Sequence, residues 1–162
     1  EYAAKSEEYL LWVHCAFTDA FLKSYIYLGY KFKTSADQYV REWAKSAEPL
    51  GLKSAPQNVA ELEALLEKFR IESLMANETT LNVVKFIMKP PFSKLGLIPF
   101  SIFANAAVAT MDLRDVEMLG LKPRGKIWLK AAKATLVFLS AILGHESPSQ
   151  KFARQRIDRL RK

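Results

Sequence analysis

A single cysteine, Cys15, leaves the chain without an internal disulfide framework and without a multi-cysteine zinc site. It lies in an apolar stretch and reads as an inert, buried thiol. Histidine is nearly as scarce, with only His14 and His145. No second histidine or carboxylate stands three or four residues from His14, and Asp19 falls one step beyond that face, so a structural metal is not expected. Glycine-rich phosphate loops, serine elbows and paired-carboxylate signatures are absent. Long apolar runs are missing too. Leu97 to Met111 is short and interrupted, and Ile127 to Leu143 carries Lys130 and Lys133, so neither is expected to span a membrane. The chain opens on Glu1 rather than Met and enters a helical pattern within about six residues, which reads as a piece of a longer polypeptide or a processed product. No signal peptide is expected in it, and an intracellular location is favoured.

What is present is an ordinary soluble composition: half the residues are apolar, a quarter are charged, and 162 residues suit one domain. Ser6 can cap a first helix, with Glu7 and Glu8 in its favourable first turn. Its apolar stripe of Leu10, Val13, Phe17, Ala20, Phe21, Ser24 and Leu28 keeps the helical period as far as Gly29, and His14 falls on or beside that stripe. A second helix starts at Thr34 or Ser35 and ends near Pro49-Leu50-Gly51. A third begins after Asn58 and carries Leu62, Leu65, Leu66, Phe69, Leu74 and Met75. A short helix from Asn77 to Met88 must stop at Pro90-Pro91. Pro99 can open the next, which runs through Met111 to Leu119 with Gly120 as its cap, and Ala104, Ala106, Ala107 and Ala109 permit close helix approach. Ile127 to Leu143 and a basic helix from Pro148 complete an all-α, single domain of about six or seven helices with no strand.

Three readings of His14 stand at this stage: axial haem ligand, polar residue beside a cofactor, or satisfied core histidine, with spacing alone favouring the last. His145, near a helix end, has no catalytic role. Asp37, Tyr39, Arg41 and Glu42 read as a capping acid followed by an exposed ion-paired face. Arg114, set among Asp112, Asp115 and Glu117, has a local ion pair as its default explanation. The net charge of +7 is concentrated in part at the end, where Lys151, Arg154, Arg156, Arg159, Arg161 and Lys162 face only Asp158. Without interleaved aromatics or a recognition motif this is a weak signal for nucleic acid, which is not expected as a partner. Phe152, Ile157 and Leu160 among those charges suit peripheral contact with a membrane surface.

Several blocks together resemble the rubber oxygenase and mycophenolic-acid oxygenase (MpaB-like) family of helical haem-binding catalytic domains. They are Tyr2-Ala3-Ala4, then Glu8-Tyr9-Leu10-Leu11-Trp12-Val13-His14, then Ala36-Asp37-Gln38-Tyr39-Val40-Arg41-Glu42-Trp43 with Gly51-Leu52. Further on come Pro90-Pro91, the alanine-rich Ala104 to Ala109 segment, Leu113-Arg114 and Leu119-Gly120-Leu121. Met111-Asp112 departs from the family's leucine-proline tendency. The resemblance covers nearly the whole chain as the later portion of the family domain, and it implies an arginine-and-threonine segment and a haem-ligating histidine upstream. It implies a haem b-dependent oxygenase using dioxygen on an apolar, isoprenoid-type small-molecule substrate, with His14 on the pocket side and Trp12 and Arg114 as further cofactor or propionate contacts. Phe17, Phe21, Phe100 and Phe103 are the lining such a pocket needs. The alternative is a non-enzymatic helical binding module that contacts a membrane surface or protein partner through its basic last helix. The two differ in one observable: the oxygenase portion should leave an apolar face uncovered, and a self-sufficient module should not.

Overall fold

The computed structural model describes residues 6–91, 94–144 and 148–160. Tyr2-Ala3-Ala4, His145, Arg161 and Lys162 lie outside the described residues. Among those described there are eight α-helices, one 3-10 turn and no strand. The helices are α1 (Glu7–Tyr27), α2 (Ala36–Ala44), α3 (Val59–Glu72), α4 (Glu78–Met88), α5 (Lys94–Val108), α6 (Leu113–Met118), α7 (Ile127–Leu143) and α8 (Pro148–Leu160).

Local chemistry sets most of the helix starts. Ser6, Ser35, Asn58 and Asn77 each accept a backbone N–H of the first turn through their side chains, the expected behaviour of short polar residues at that position. Asp37 adds a cap that spacing did not suggest: its Oδ1 accepts from the amide of Val59 at 2.9 Å, tying α2 to the start of α3. Gly144 ends α7 at φ 82°, where a side chain would be strained.

Four expectations along the chain need correction. Pro99 does not open a helix; it lies inside α5, which begins at Lys94. Its ring leaves the Leu95 carbonyl without the usual donor, and packing of α5 against α7 outweighs that loss. Nor does this helix continue to Leu119. Thr110 Oγ1 donates to the Ala107 carbonyl at 2.7 Å as α5 ends, and Asp112 then accepts from the Arg114 amide at 2.9 Å, starting α6 as a separate piece. The second helix also ends sooner, at Ala44, with the 3-10 turn Glu48–Leu50 after it, and Leu74 and Met75 lie beyond the end of α3.

Packing forms two centres. Cys15 and Leu22 of α1 meet Val40 of α2 and Leu62 of α3, with Leu11, Phe32, Tyr39, Leu65 and Leu66 around them. The second centre joins Ala106 of α5 to Leu129 and Ala132 of α7, where the small alanines let the two helices approach, and Leu28 at the end of α1 reaches into it. Trp12 meets Phe69 edge-on at 5.4 Å and fastens α1 to α3.

A cluster of charges joins α3 to α6. Arg70 donates to both oxygens of Asp115, at 2.8 and 3.0 Å, and also pairs with Glu67. Arg114 donates to both oxygens of Glu67, at 2.9 and 3.0 Å, and to Asp112 at 3.3 Å. Such forked contacts between guanidinium and carboxylate are the stronger kind of ion pair.

The accessible surface is 12341 Å², against about 8200 Å² for a compact monomer of this mass. The excess has visible sources: α4 buries no residue, every described side chain of α8 is exposed, and α1 is wrapped on one side only.

Arg70 is only 19% exposed whereas Arg114 is 58% exposed, so the two arginines should differ in weight. Arg70→Ala strands Asp115 and half of Glu67 and should lower stability by about 2 kcal/mol, between the values for exposed and buried pairs. Arg114→Ala should cost clearly less. Urea midpoints of the two variants check the order.

Candidate functional site

Helix α1 carries apolar side chains on opposite sides, and that governs the site. The packed side consists of His14, Cys15, Thr18 and Leu22. Tyr9, Val13, Phe17 and Phe21, spaced by four, form a continuous outer stripe and are 45% to 55% exposed. Val13, Phe17 and Phe21 of the apolar stripe seen in the sequence are therefore on the outer side. A helical period shows that a face is apolar; with apolar residues on both sides it does not show which side is packed.

His14 sits on the border between the two sides, about 60° around the helix from Phe17. The residue is 5% exposed, and its Nε2 has no hydrogen-bond partner among the described residues. Burial lowers the pKa of the imidazole from its ordinary value, so it is neutral at pH 7. The hydroxyl of Thr18, one turn on, donates to the His14 carbonyl at 2.7 Å. Cys15 beside it is fully buried, and burial pushes its thiol up to about 11, which keeps it protonated and unreactive.

Aromatic rings connect the outer stripe to α2. Phe17 stacks on Phe21 at 5.9 Å, and Phe21 meets Trp43 at 5.5 Å. Trp43 lies 5.9 Å from Tyr39, Tyr39 lies 5.6 Å from Phe32, and Phe32 lies 4.5 Å from Tyr25. Tyr39 is a residue that sequence reasoning placed on an exposed face. Its hydroxyl is buried without a hydrogen-bond partner among the described residues, and burial raises its pKa. The signal was available: Ala36, Tyr39, Val40, Trp43 and Ala44 repeat at three and four residues, which puts Tyr39 on the packed side of α2. Arg41 and Glu42 do face solvent, and both hydrogen-bond Gln38, at 3.4 and 2.9 Å.

The other candidate contacts are engaged with different partners. Trp12 is two residues from His14, on a different face of α1, and packs on Phe69. Arg114 is fixed between Glu67 and Asp112, and its hydrogen bonds hold both carboxyls below the usual range. The expected pairing with a neighbouring acid is present at Asp112; the partner Glu67, 47 residues away, carried no sequence signal. Of the four phenylalanines expected to line a pocket, Phe17 and Phe21 form the outer stripe, Phe103 packs against the centre between α5 and α7, and Phe100 is half-buried. No group of three or more potential metal-ligating side chains occurs among the described residues. No helix among them is long and apolar enough to cross a membrane.

The profile of a family described as "ER-bound oxygenase mpaB/B'/Rubber oxygenase, catalytic domain" matches residues 1–141. No curated protein and no solved structure matches the chain.

The lowered pKa of His14 has a consequence for stability with a definite sign. The folded chain binds this proton less tightly than the unfolded chain, whose imidazole keeps the ordinary value of 6.5. Stability should be unaffected by His14 well above that value. It should fall as pH drops through it, until the folded value is passed. Urea midpoints between pH 8 and pH 5 should show this fall in the wild type and a flatter profile in His14→Gln. An equal slope in the variant would assign the fall to other groups.

Proposed function

The chain belongs to the ER-bound oxygenase mpaB/B′ and rubber oxygenase catalytic-domain family, and on that premise we propose that it takes part in haem b-dependent oxygenation of an apolar, isoprenoid-type substrate by dioxygen. The observation that carries this reading is His14: a neutral imidazole whose Nε2 has no hydrogen-bond partner among the described residues, at the edge of an exposed aromatic surface. Haem iron takes a neutral imidazole nitrogen as its protein ligand, and a porphyrin needs apolar surface against its faces. The donor chemistry fits such a group; Nε2 is enclosed among the described residues, so the imidazole would have to turn toward the outer stripe to reach it.

In this proposal His14 would hold the haem iron through Nε2, in place of the upstream histidine that the family resemblance implies. The exposed side chains of Val13, Phe17 and Phe21 supply apolar contact and exclude water. Thr18 steadies the His14 backbone through its hydrogen bond. Cys15 does not compete as a ligand, because its thiol stays protonated. Arg114 can meet a haem propionate only by sharing or exchanging its contacts with Glu67 and Asp112, and Trp12 acts at one remove by holding α1 on α3. When bound, haem would supply dioxygen binding and activation; the polypeptide supplies the ligand, the charge state of that ligand and a dry apolar surface.

The half-exposed outer face of α1 supports this reading over that of a self-sufficient binding module, which would bury such a stripe. One observation speaks for the second reading. On α8, Phe152 and Leu160 are 71% and 80% exposed among basic residues, which suits a membrane surface or an acidic partner.

Titration of the chain with haem, followed by absorption in the Soret region, tests the proposal. The wild type should give a saturable band with one haem per chain that shifts on reduction. His14→Ala should lose it, and Phe17→Ala should weaken haem affinity while keeping the band. A band of equal strength in His14→Ala would remove His14 as the ligand. No band in the wild type would overturn haem binding by this chain.

A further inference from the structure

At the far end of α1 from His14, a cleft of about 350 Å³ opens between the last turn of that helix and the first two turns of α7. Its lining divides by chemistry. Ile26, Tyr27, Leu28 and Leu129 make an apolar wall, and Lys126, Lys130 and Lys133 make a cationic one. No acidic residue is among the lining residues, and none of the three lysines pairs with a carboxylate among the described residues. Three ammonium groups at spacings of four and three on one helix repel one another, so an anion between them is favoured.

The turn that ends α1 lies against this cluster. Gly29 has φ +78°, and a Cβ built on it would stand 3.2 Å from the Lys133 ammonium. Its lack of a side chain lets that charge lie against the turn. The same ammonium sits 5.2 Å from the centre of the Tyr30 ring, which holds the long side chain toward the cleft.

We propose that this cleft binds an amphipathic anion: a carboxylate or phosphate head held by Lys126, Lys130 and Lys133, and an apolar body laid along Ile26, Tyr27 and Leu129. The volume is at the small end of the range for organic ligands. The site is separate from the haem proposal, since Ile26 lies twelve residues from His14, about 18 Å along the helix axis.

Isothermal titration of the haem-free chain with dodecyl phosphate, kept below its critical micelle concentration, reads this directly. One equivalent should bind. The double variant Lys126→Gln, Lys130→Gln, both exposed positions whose replacement leaves the core intact, should bind about tenfold more weakly or worse. Ile26→Gln should weaken dodecyl phosphate and leave any binding of inorganic phosphate unchanged.

Four outcomes would overturn the proposal. Undiminished binding in the lysine variant would place the anion elsewhere, as on the basic α8. Equal affinity for inorganic phosphate would remove the apolar half. Capture of vesicles containing anionic lipid without binding of the monomeric amphiphile would make the patch a membrane contact. The fourth is the absence of any heat of binding.

Discussion

The packing of α1 is the constraint from which the rest follows. This helix has apolar residues on opposite sides, and α2 and α3 bury the arc that contains Cys15, Thr18 and Leu22, touching its flanks at Phe21 and Trp12. Choosing that arc turns Tyr9, Val13, Phe17 and Phe21 outward and leaves His14 at the boundary, buried, with no partner for Nε2 among the described residues. Covering the opposite arc instead would bury the aromatic stripe and expose the small residues Cys15 and Thr18, which fit the closely approaching α2 and α3. Packing therefore selects the side with less bulk, and the bulkier side is left as surface.

The second tie runs through charge. Leu62 and Phe69 hold the inner side of α3, while Glu67 and Arg70 reach across to α6. Because α6 spans only Leu113–Met118, it has little apolar surface with which to dock, and buried Val116 is its main packing contact. The two guanidiniums make up that deficit with directional bonds. Arg114 is therefore part of the scaffold whether or not a cofactor meets it.

Sequence reading succeeded at most boundaries where the decisive chemistry is local. Ser6, Asn58, the Pro90-Pro91 stop and Gly144 act within a turn of their own positions, and the structure has each of them at a helix boundary. The family resemblance, carried by short contiguous blocks, was legible for the same reason. Reading failed where the outcome depends on distant partners. The inner side of α1 is chosen by helices 20 to 50 residues away, Pro99 is carried inside α5 by contact with α7, and the Glu67–Arg114 pair joins residues 47 apart. Tyr39 is the intermediate case, since the spacing within α2 contained the answer but the polar neighbours drew attention away from it.

Cys15 gives this arrangement an internal reporter. It is the only thiol in the chain, is fully enclosed where α1, α2 and α3 meet, and has a strongly disfavoured thiolate. A thiol-reactive label can reach it only when those three helices part, so the rate of labelling counts openings of this one junction and is silent about fraying of α8. The chain thus carries, without engineering, a clock on how often the ground beneath His14 comes apart.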